Sequence, residues 1–174
     1  MDHRSLWAPW RLPYLKDYEE AKRMSDEADS GITFLSAYWD DPAGDLDNHV
    51  VFRTEQGMIL LNRYPYANGH LLVALGDPKP VLLDYDPHQR TAFWSLVERG
   101  MDLMQRALDP EGINFGINQG AAAGAGVPGH LHGHLVPRWH GDTNAMTTVA
   151  GTRVIPASLD AMAEMYRSVV EQDD

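Results

Sequence analysis

Apolar residues along the chain fall into short runs separated by glycine, proline and asparagine, which is the pattern of β-strands joined by turns. Gly57 separates two of these runs and indicates a hairpin, and a turn at 63–69 with proline and Asn-Gly comes before a third. The runs that predict strands span 49–53, 58–62, 70–75, 113–119 and 130–138. We expect them to form one mainly antiparallel sheet.

Two other segments have the three-to-four-residue periodicity of amphipathic helices. The first opens with Asp86-Pro-His-Gln89, a capping-box pattern with proline at the first helical position, and ends at Asp109-Pro110. The apolar positions are Phe93, Leu96, Val97, Met101, Met104 and Leu108 in the first, and Leu159, Met162, Tyr166, Val169 and Val170 in the second. The pattern predicts an α+β fold in which a long helix and a C-terminal helix pack against the sheet.

The length of 174 residues suits one domain spanning 1–174. Residues 1–30 are interpreted as an apolar arm followed by a short surface helix. Trp7 and Trp10 in this arm either pack on the protein's own core or a partner subunit, or form an aromatic wall for a base. The sequence has no cysteine, which excludes disulfides, thiolate catalysis and Cys-ligated zinc or iron–sulfur sites.

The charge distribution narrows the choice of partners. The net charge is −11, from 14 Lys and Arg against 25 Asp and Glu, which opposes unassisted binding to nucleic acid. Between residues 112 and 138 the only charged side chain is Arg138, so a small anionic ligand could be received there. No apolar run reaches membrane-spanning length, and residues 1–14 lack an uninterrupted apolar signal core. We therefore expect a cytoplasmic protein with no nucleic-acid or membrane partner.

The candidate chemistry is concentrated in the run His-Leu-His-Gly-His at 130–134. In a strand, His130, His132 and His134 share one face, whereas a helix would spread the rings over about 200°. Three interpretations are open: a satisfied histidine cluster, a metal site completed by Asp142 or His140, and nucleophilic catalysis by an imidazole. A nucleophilic imidazole needs one free nitrogen and a second, protonated nitrogen held by an acceptor.

The loop at 120–129 favours the third interpretation. It holds four glycines and has no bulky side chain before Val127, so its backbone amides can approach an anion closely. Such a loop is a weak signal alone and a stronger one directly before three aligned imidazoles.

These residues resemble the histidine triad (HIT) family, in the branch of the fragile-histidine-triad and diadenosine tetraphosphate phosphorylase-like proteins. His130-Leu-His132-Gly-His134-Leu-Val fits the family signature, and Asn62 to Val73 resembles its upstream nucleotide-site segment. Pro137-Arg-Trp139, Gly141-Asp142 and Leu6-Trp-Ala-Pro-Trp-Arg11 are similar to sequence in that branch. The resemblance runs from about residue 6 to 155, with a catalytic core at 48–140.

The resemblance implies a nucleotidyl hydrolase or transferase that cleaves dinucleoside polyphosphates of the diadenosine tri- or tetraphosphate class. His132 would be the nucleophile on the α-phosphorus and form a nucleotidyl-histidine, which water or phosphate then resolves. His134 would bind the phosphate, and His130 and His70 would orient the site. The substrate contacts would come from Asn62 on the ribose and, on the phosphates, from Asn118, Gln119 and the backbone of Gly124, Ala125, Gly126 and Val127. Asn118 and Gln119 point opposite ways in a strand, and Gln119 is the preferred one.

The family also implies a homodimer in which the sheets of two subunits join, and no tightly bound cofactor beyond a divalent cation carried with the nucleotide. Alternatives are a nucleoside phosphoramidase of the same family and a nucleotide- or metal-binding module without turnover. Two departures bear on these. Some branches bind zinc through an upstream cysteine pair, but Ile32-Thr-Phe-Leu-Ser36 has none, so no metal is expected. Other branches often place a hydroxyl where this chain has Val127, which disfavours phosphoramidate hydrolysis.

Overall fold

A five-stranded, fully antiparallel sheet with the strand order β1-β2-β3-β5-β4 forms the centre of the fold. The computed structural model describes residues 33–143 and 154–173. Its helices and strands are α1 (Phe34–Asp40), β1 (Val50–Arg53), β2 (Gly57–Leu61), β3 (Leu71–Leu75), α2 (Pro87–Leu108), β4 (Gly112–Ile117), β5 (His132–Arg138) and α3 (Leu159–Val170). The predicted α+β class, antiparallel sheet and two amphipathic helices are confirmed. The predicted arm and surface helix at 1–30 lie outside the described residues.

The two faces of the sheet bury separate apolar clusters because strand side chains alternate. On the α2 face, Val73, Leu131 and Leu135 pack with the apolar positions of α2 and α3. On the opposite α1 face, Leu72 and Ala74 pack with Leu35 of α1 and with β1 and β2 side chains. The sheet is therefore covered on both sides.

Helix α2 begins and ends at the predicted residues. The Asp86 carboxylate accepts from the Gln89 amide while the Gln89 side chain accepts from the Asp86 amide, so two backbone donors of the first turn are satisfied. Asp109 has a left-handed backbone with φ of 43°, and Pro110 follows it. Helix α3 carries the C-terminal apolar face, and its buried Tyr166 hydroxyl donates to the Gly69 carbonyl at 2.7 Å.

Three local features differ from the sequence prediction. Helix α1 has only seven residues, too few to show a clear period, and depends on its Thr33 cap, which accepts from the Ser36 amide. Strand β4 ends at Ile117, so Asn118 and Gln119 follow the strand instead of completing it. Strand β5 begins at His132, so His130 precedes it. Within the described ranges no helix is long and apolar enough to cross a membrane.

Candidate active site

The register of β5 determines where the histidines lie. His132 is paired with Ala74 and His134 with Leu72, two residues of the α1 face, so both histidines lie on that face. Gly133 faces the other way. A Cβ there would lie 2.9 Å from Cε2 of Phe115, so only glycine allows β5 to pack this closely at that point.

His132 is held in a defined tautomer by the backbone. Its Nδ1 lies 2.9 Å from the His130 carbonyl oxygen, which can only accept, so Nδ1 carries the proton and Nε2 keeps its lone pair. The ring is 4% exposed, and burial lowers its pKa. Within the described residues, nothing donates a hydrogen bond to Nε2. The ring therefore has the free nitrogen and the held nitrogen that an imidazole nucleophile requires.

The hydrogen bonds that link the Tyr66 amide, His70 and His134 all donate in the same direction. The Tyr66 amide donates to His70 Nδ1 at 3.1 Å, and Asn62 Nδ2 lies 3.3 Å from the same nitrogen, so His70 is protonated on Nε2. That Nε2 donates to His134 Nδ1 at 3.1 Å, which leaves the proton of a neutral His134 on its Nε2. His134 Nε2 is shielded from solvent and has no hydrogen-bond partner in the part of the chain that the structure describes. Unpartnered buried donors are uncommon and point to a ligand that accepts.

Burial also keeps His134 neutral. It lowers the pKa of His134 from 6.5 to about 4, and the adjacent His132, whose ring centroid is 5.0 Å away, acts in the same direction. Among the described residues, no carboxylate pairs with His130, His132 or His134. The imidazoles therefore present one neutral N–H donor, at His134 Nε2, and one lone pair, at His132 Nε2, to a ligand.

His130 is not available to a ligand. Its ring is fully buried, Nε2 donates to the Leu75 carbonyl at 2.7 Å, and Nδ1 lies 3.1 Å from the Thr33 hydroxyl and 3.4 Å from the Ser36 hydroxyl. Burial lowers its pKa as well. His130 was predicted to share a strand face with His132 and His134, but it precedes β5 and its ring is enclosed. It contributes to the site through its carbonyl oxygen, which holds His132.

Asn62 and Tyr66 support the His70–His134 pair. The Asn62 side chain accepts from the Tyr64 amide at 2.9 Å, in addition to its contact with His70. The Tyr66 ring is stacked on His134 with centroids 5.8 Å apart and planes 18° apart, and it is 46% exposed. Sequence reasoning gave Tyr66 no role, although an aromatic residue in the turn before His70 was a visible signal.

The structure corrects the preference for Gln119 over Asn118. Gln119 Oε1 accepts from the Leu82 amide at 2.9 Å, so its side chain is engaged away from the histidines. Gly116 is paired with His134, and the alternation continued by two residues assigns Asn118 to the same face. The side-chain amide of Asn118 makes no hydrogen bond within the described residues.

The glycine/alanine loop offers fewer amides than the sequence suggested. Residues 121–123 form one turn of 3₁₀ helix, and the Gly124 and Ala125 amides donate to Ala121 and Gly120. The Gly126 and Val127 amides have no partner within the described residues. On the strand beside His134, a Cβ at Gly116 would meet nothing within 4 Å, so the sheet is open there.

The sequence model of the HIT domain matches residues 43–141, more than half of the chain and all four histidines of the site. The chain belongs to the HIT family. The family assignment made from the sequence is thereby confirmed.

Relatives of this HIT protein include named enzymes. AP-4-A phosphorylase from Mycobacterium tuberculosis is 31% identical over 154 residues, which cover 88% of this chain and 77% of the relative. Bis(5'-nucleosyl)-tetraphosphatase (asymmetrical) from Schizosaccharomyces pombe is 30% identical over 95 residues, 55% of this chain and 52% of the relative. A solved structure of a Zn-bound histidine triad family protein from Mycobacterium smegmatis superposes with a TM-score of 0.63 at 25% identity, over 79% of this chain and 94% of that one.

The zinc of that HIT structure prompts a test of whether this chain fits a metal. No group of three or more His, Asp or Glu side chains within residues 33–143 and 154–173 is arranged to hold an ion. Two residues of the segment compared above with the cysteine pair of other branches, Thr33 and Ser36, contact His130, but they offer hydroxyls in place of thiolates. With Nε2 of His130 donating to Leu75, these residues do not fit a zinc ion.

Proposed function

We propose that this HIT protein is an enzyme that cleaves dinucleoside polyphosphates by transferring a nucleotidyl group to Nε2 of His132. The observation that carries the proposal is the 2.9 Å hydrogen bond from His132 Nδ1 to the His130 carbonyl, which leaves the lone pair of Nε2 unprotonated. The names of the relatives support the substrate class. All contacts with substrate are part of the proposal.

In the first step, His132 Nε2 attacks the α-phosphorus and a P–N bond forms. The bond from phosphorus to the bridging oxygen breaks, and the polyphosphate leaves with the electron pair. The intermediate ring is cationic and keeps its proton on Nδ1, where the His130 carbonyl dipole stabilises it. In the second step, the oxygen of water or phosphate attacks phosphorus, and the P–N bond breaks with its electron pair returning to Nε2. The proton lost by an attacking water passes to the solvent.

His134 would stabilise charge on the reacting phosphate. Its Nε2–H is already desolvated and fixed by the chain through His70, so donating to a non-bridging oxygen requires little reorganisation. We assign Asn118 and the Gly126 and Val127 amides to the phosphates. We assign Asn62 to the ribose, because its Oδ1 accepts from the Tyr64 amide and has a second lone pair for a ribose hydroxyl. A divalent cation would arrive with the substrate, and no tightly bound cofactor is required by this mechanism.

The side chain of Val127 favours a polyphosphate substrate over a phosphoramidate substrate. An amine leaves poorly unless it is protonated, and Val127 provides no hydroxyl to donate a proton, whereas a polyphosphate leaves as a stable anion. Turnover of a phosphoramidate should therefore be low in comparison with diadenosine polyphosphates, and Val127→Ser should raise it.

A homodimer is proposed through strand β4. In the described sheet, β4 pairs with β5 on one side only. Trp94 is 44% exposed and lies 5.4 Å from Phe115, so the unpaired edge carries an aromatic patch suited to a second copy. The molar mass measured by light scattering should be twice the chain mass of 19.5 kDa, and in the Trp94→Glu variant it should fall to the mass of one chain. Leu46→Glu, at an exposed site away from this edge, should leave the dimer intact.

The central test is trapping of the intermediate. Wild-type protein mixed briefly with diadenosine tri- or tetraphosphate and quenched in base should gain the mass of one nucleotidyl group on the peptide that contains His132. His132→Ala should show neither the adduct nor turnover, while its affinity for AMP stays within several-fold of wild type. His88→Ala, an exposed histidine on α2, is the matched control and should behave as wild type.

The products identify the molecule that attacks the nucleotidyl-histidine in the second step. Release of AMP indicates attack by water, and ADP formed only with added phosphate indicates phosphorolysis. If His132→Ala turns over substrate like wild type, the assignment of the nucleophile is refuted.

A further inference from the structure

The N-terminus of α1 contacts the ring of His130, beside the candidate active site. Thr33 caps α1 by accepting from the Ser36 amide at 3.1 Å, and its hydroxyl lies 3.0 Å from the Ser36 hydroxyl. Both hydroxyls are also within 3.4 Å of His130 Nδ1. Two hydroxyls on one buried ring nitrogen are more than a helix cap needs, because the cap itself uses only the Thr33 oxygen.

The protons in this cluster can be assigned. His130 Nε2 must be protonated because it faces the Leu75 carbonyl at 2.7 Å, so Nδ1 must accept. Thr33 can donate to Nδ1 while it accepts from the Ser36 amide and hydroxyl. Equally, Ser36 can donate to Nδ1 while it accepts from Thr33. Either arrangement satisfies every group, so the two hydroxyls are alternative donors to the same nitrogen.

The orientation of this ring matters beyond its own packing. The His130 carbonyl accepts from His132 Nδ1, and the next amide, that of Leu131, donates to the Lys79 carbonyl at 2.8 Å. The peptide between His130 and Leu131 is therefore held by its own amide and by a ring fixed at both nitrogens. Rotation of that peptide would turn the carbonyl away from His132 and release its tautomer.

We infer that Thr33 and Ser36 are positioning residues that act as interchangeable hydroxyl donors to His130 and thereby fix the carbonyl that orients His132. The inference rests on the proposed role of His132 as nucleophile. It predicts redundancy: losing one hydroxyl is tolerated, and losing both leaves a buried nitrogen without a donor.

The test uses Thr33→Ser, Thr33→Val, Ser36→Ala and the double variant Thr33→Val with Ser36→Ala, with diadenosine tetraphosphate as substrate. Thr33→Ser should retain wild-type kcat, and each of the other single variants should lose no more than about threefold. The double variant should lose roughly tenfold or more in kcat, beyond the product of the single effects, with KM within about twofold. Ser158→Ala removes the equivalent cap of α3, which makes no hydrogen bond to His70, His130, His132 or His134 among the described residues, and should leave kcat unchanged.

A second readout does not depend on activity. In ¹⁵N-histidine NMR spectra at neutral pH, His130 and His132 of wild type should each show one fixed tautomer, protonated on Nε2 and on Nδ1 respectively. In the double variant the His132 signals should move towards a mixture of tautomers, while His70 keeps its own. The Thr33→Ser and Ser158→Ala proteins should match wild type.

The outcomes separate the two proposals. If wild type forms no nucleotidyl adduct but the double variant still mixes the tautomers of His132, the proposed function fails and the positioning role stands. If the double variant keeps wild-type kcat and wild-type tautomers, the positioning role is overturned. The positioning role is also overturned if the double variant and Ser158→Ala lose the same factor in kcat, because the loss would then be explained by the missing helix cap alone. Should the double variant not fold, non-additivity is measured instead at a lower temperature with Thr33→Ala, Ser36→Ala and the variant that combines them, and additive losses there overturn it.

Discussion

Acidification should destabilise this protein between about pH 6.5 and pH 4 because His134 is held neutral inside the fold. Burial, aided by the neighbouring His132, lowers the pKa of His134 to about 4, whereas the same group in the unfolded chain titrates near 6.5. In this window the unfolded chain binds a proton that the folded protein does not, so stability falls as pH falls. The contribution is complete above the unfolded pKa and is lost as pH approaches the folded one.

The size of the effect follows from the two pKa values. Each pKa unit corresponds to about 1.4 kcal/mol, so lowering the pH from 7.5 to 4.5 should cost up to about 2.5 kcal/mol through His134. This figure is an upper limit because the ring keeps part of its contact with solvent and its charge is screened there. Burial lowers the pKa of His130 and His132 too, so their contributions have the same sign.

The assay is the free energy of unfolding in urea at pH 7.5, 6.5, 5.5 and 4.5, at one ionic strength and one protein concentration, for wild type and His134→Gln. Glutamine does not titrate, so the difference between the two proteins isolates His134. That difference should shrink as pH falls, while the difference between wild type and His88→Gln, at an exposed position, should change far less. Parallel curves for wild type and His134→Gln would show that His134 titrates normally and refute the electrostatic description of the site.

Three further predictions test the packing and the substrate contacts. Gly133→Ala should lower the free energy of unfolding by about 1–3 kcal/mol because its Cβ would meet the Phe115 ring, while Gly116→Ala, with open space around it, should leave the urea midpoint nearly unchanged. The same Gly116→Ala should raise KM for diadenosine tetraphosphate severalfold if the phosphates occupy that space; an unchanged KM would assign them elsewhere. Asn118→Ala should raise KM by roughly tenfold, as expected for a lost hydrogen bond to a charged group, and Gln119→Ala should raise KM by less. A larger increase in KM for Gln119→Ala than for Asn118→Ala would contradict the assignment of Asn118.

The sequence was sufficient for elements with a strong local signal. The capping box at Asp86 and the stop at Asp109 gave the bounds of α2, since both depend on side chains within one turn of the helix end. The alternation around Gly133 put His132 and His134 on one face, since strand geometry has a period of two wherever the strand lies. The short helix α1 had too few residues for a period, and only its contact with the sheet explains its stability.

Spacing along the chain was enough to predict the five strands, the two amphipathic helices, the fold class and the histidine triad. Which nitrogen of each ring carries a proton was decided by the tertiary structure, through the carbonyls of His130 and Leu75 and the amide of Tyr66. The tertiary structure also decided that His130 is buried, that the Gln119 side chain accepts from the Leu82 amide, and that the hydroxyls at the N-terminus of α1 contact His130. Each of these depends on groups distant in the chain, whose contacts no local pattern records.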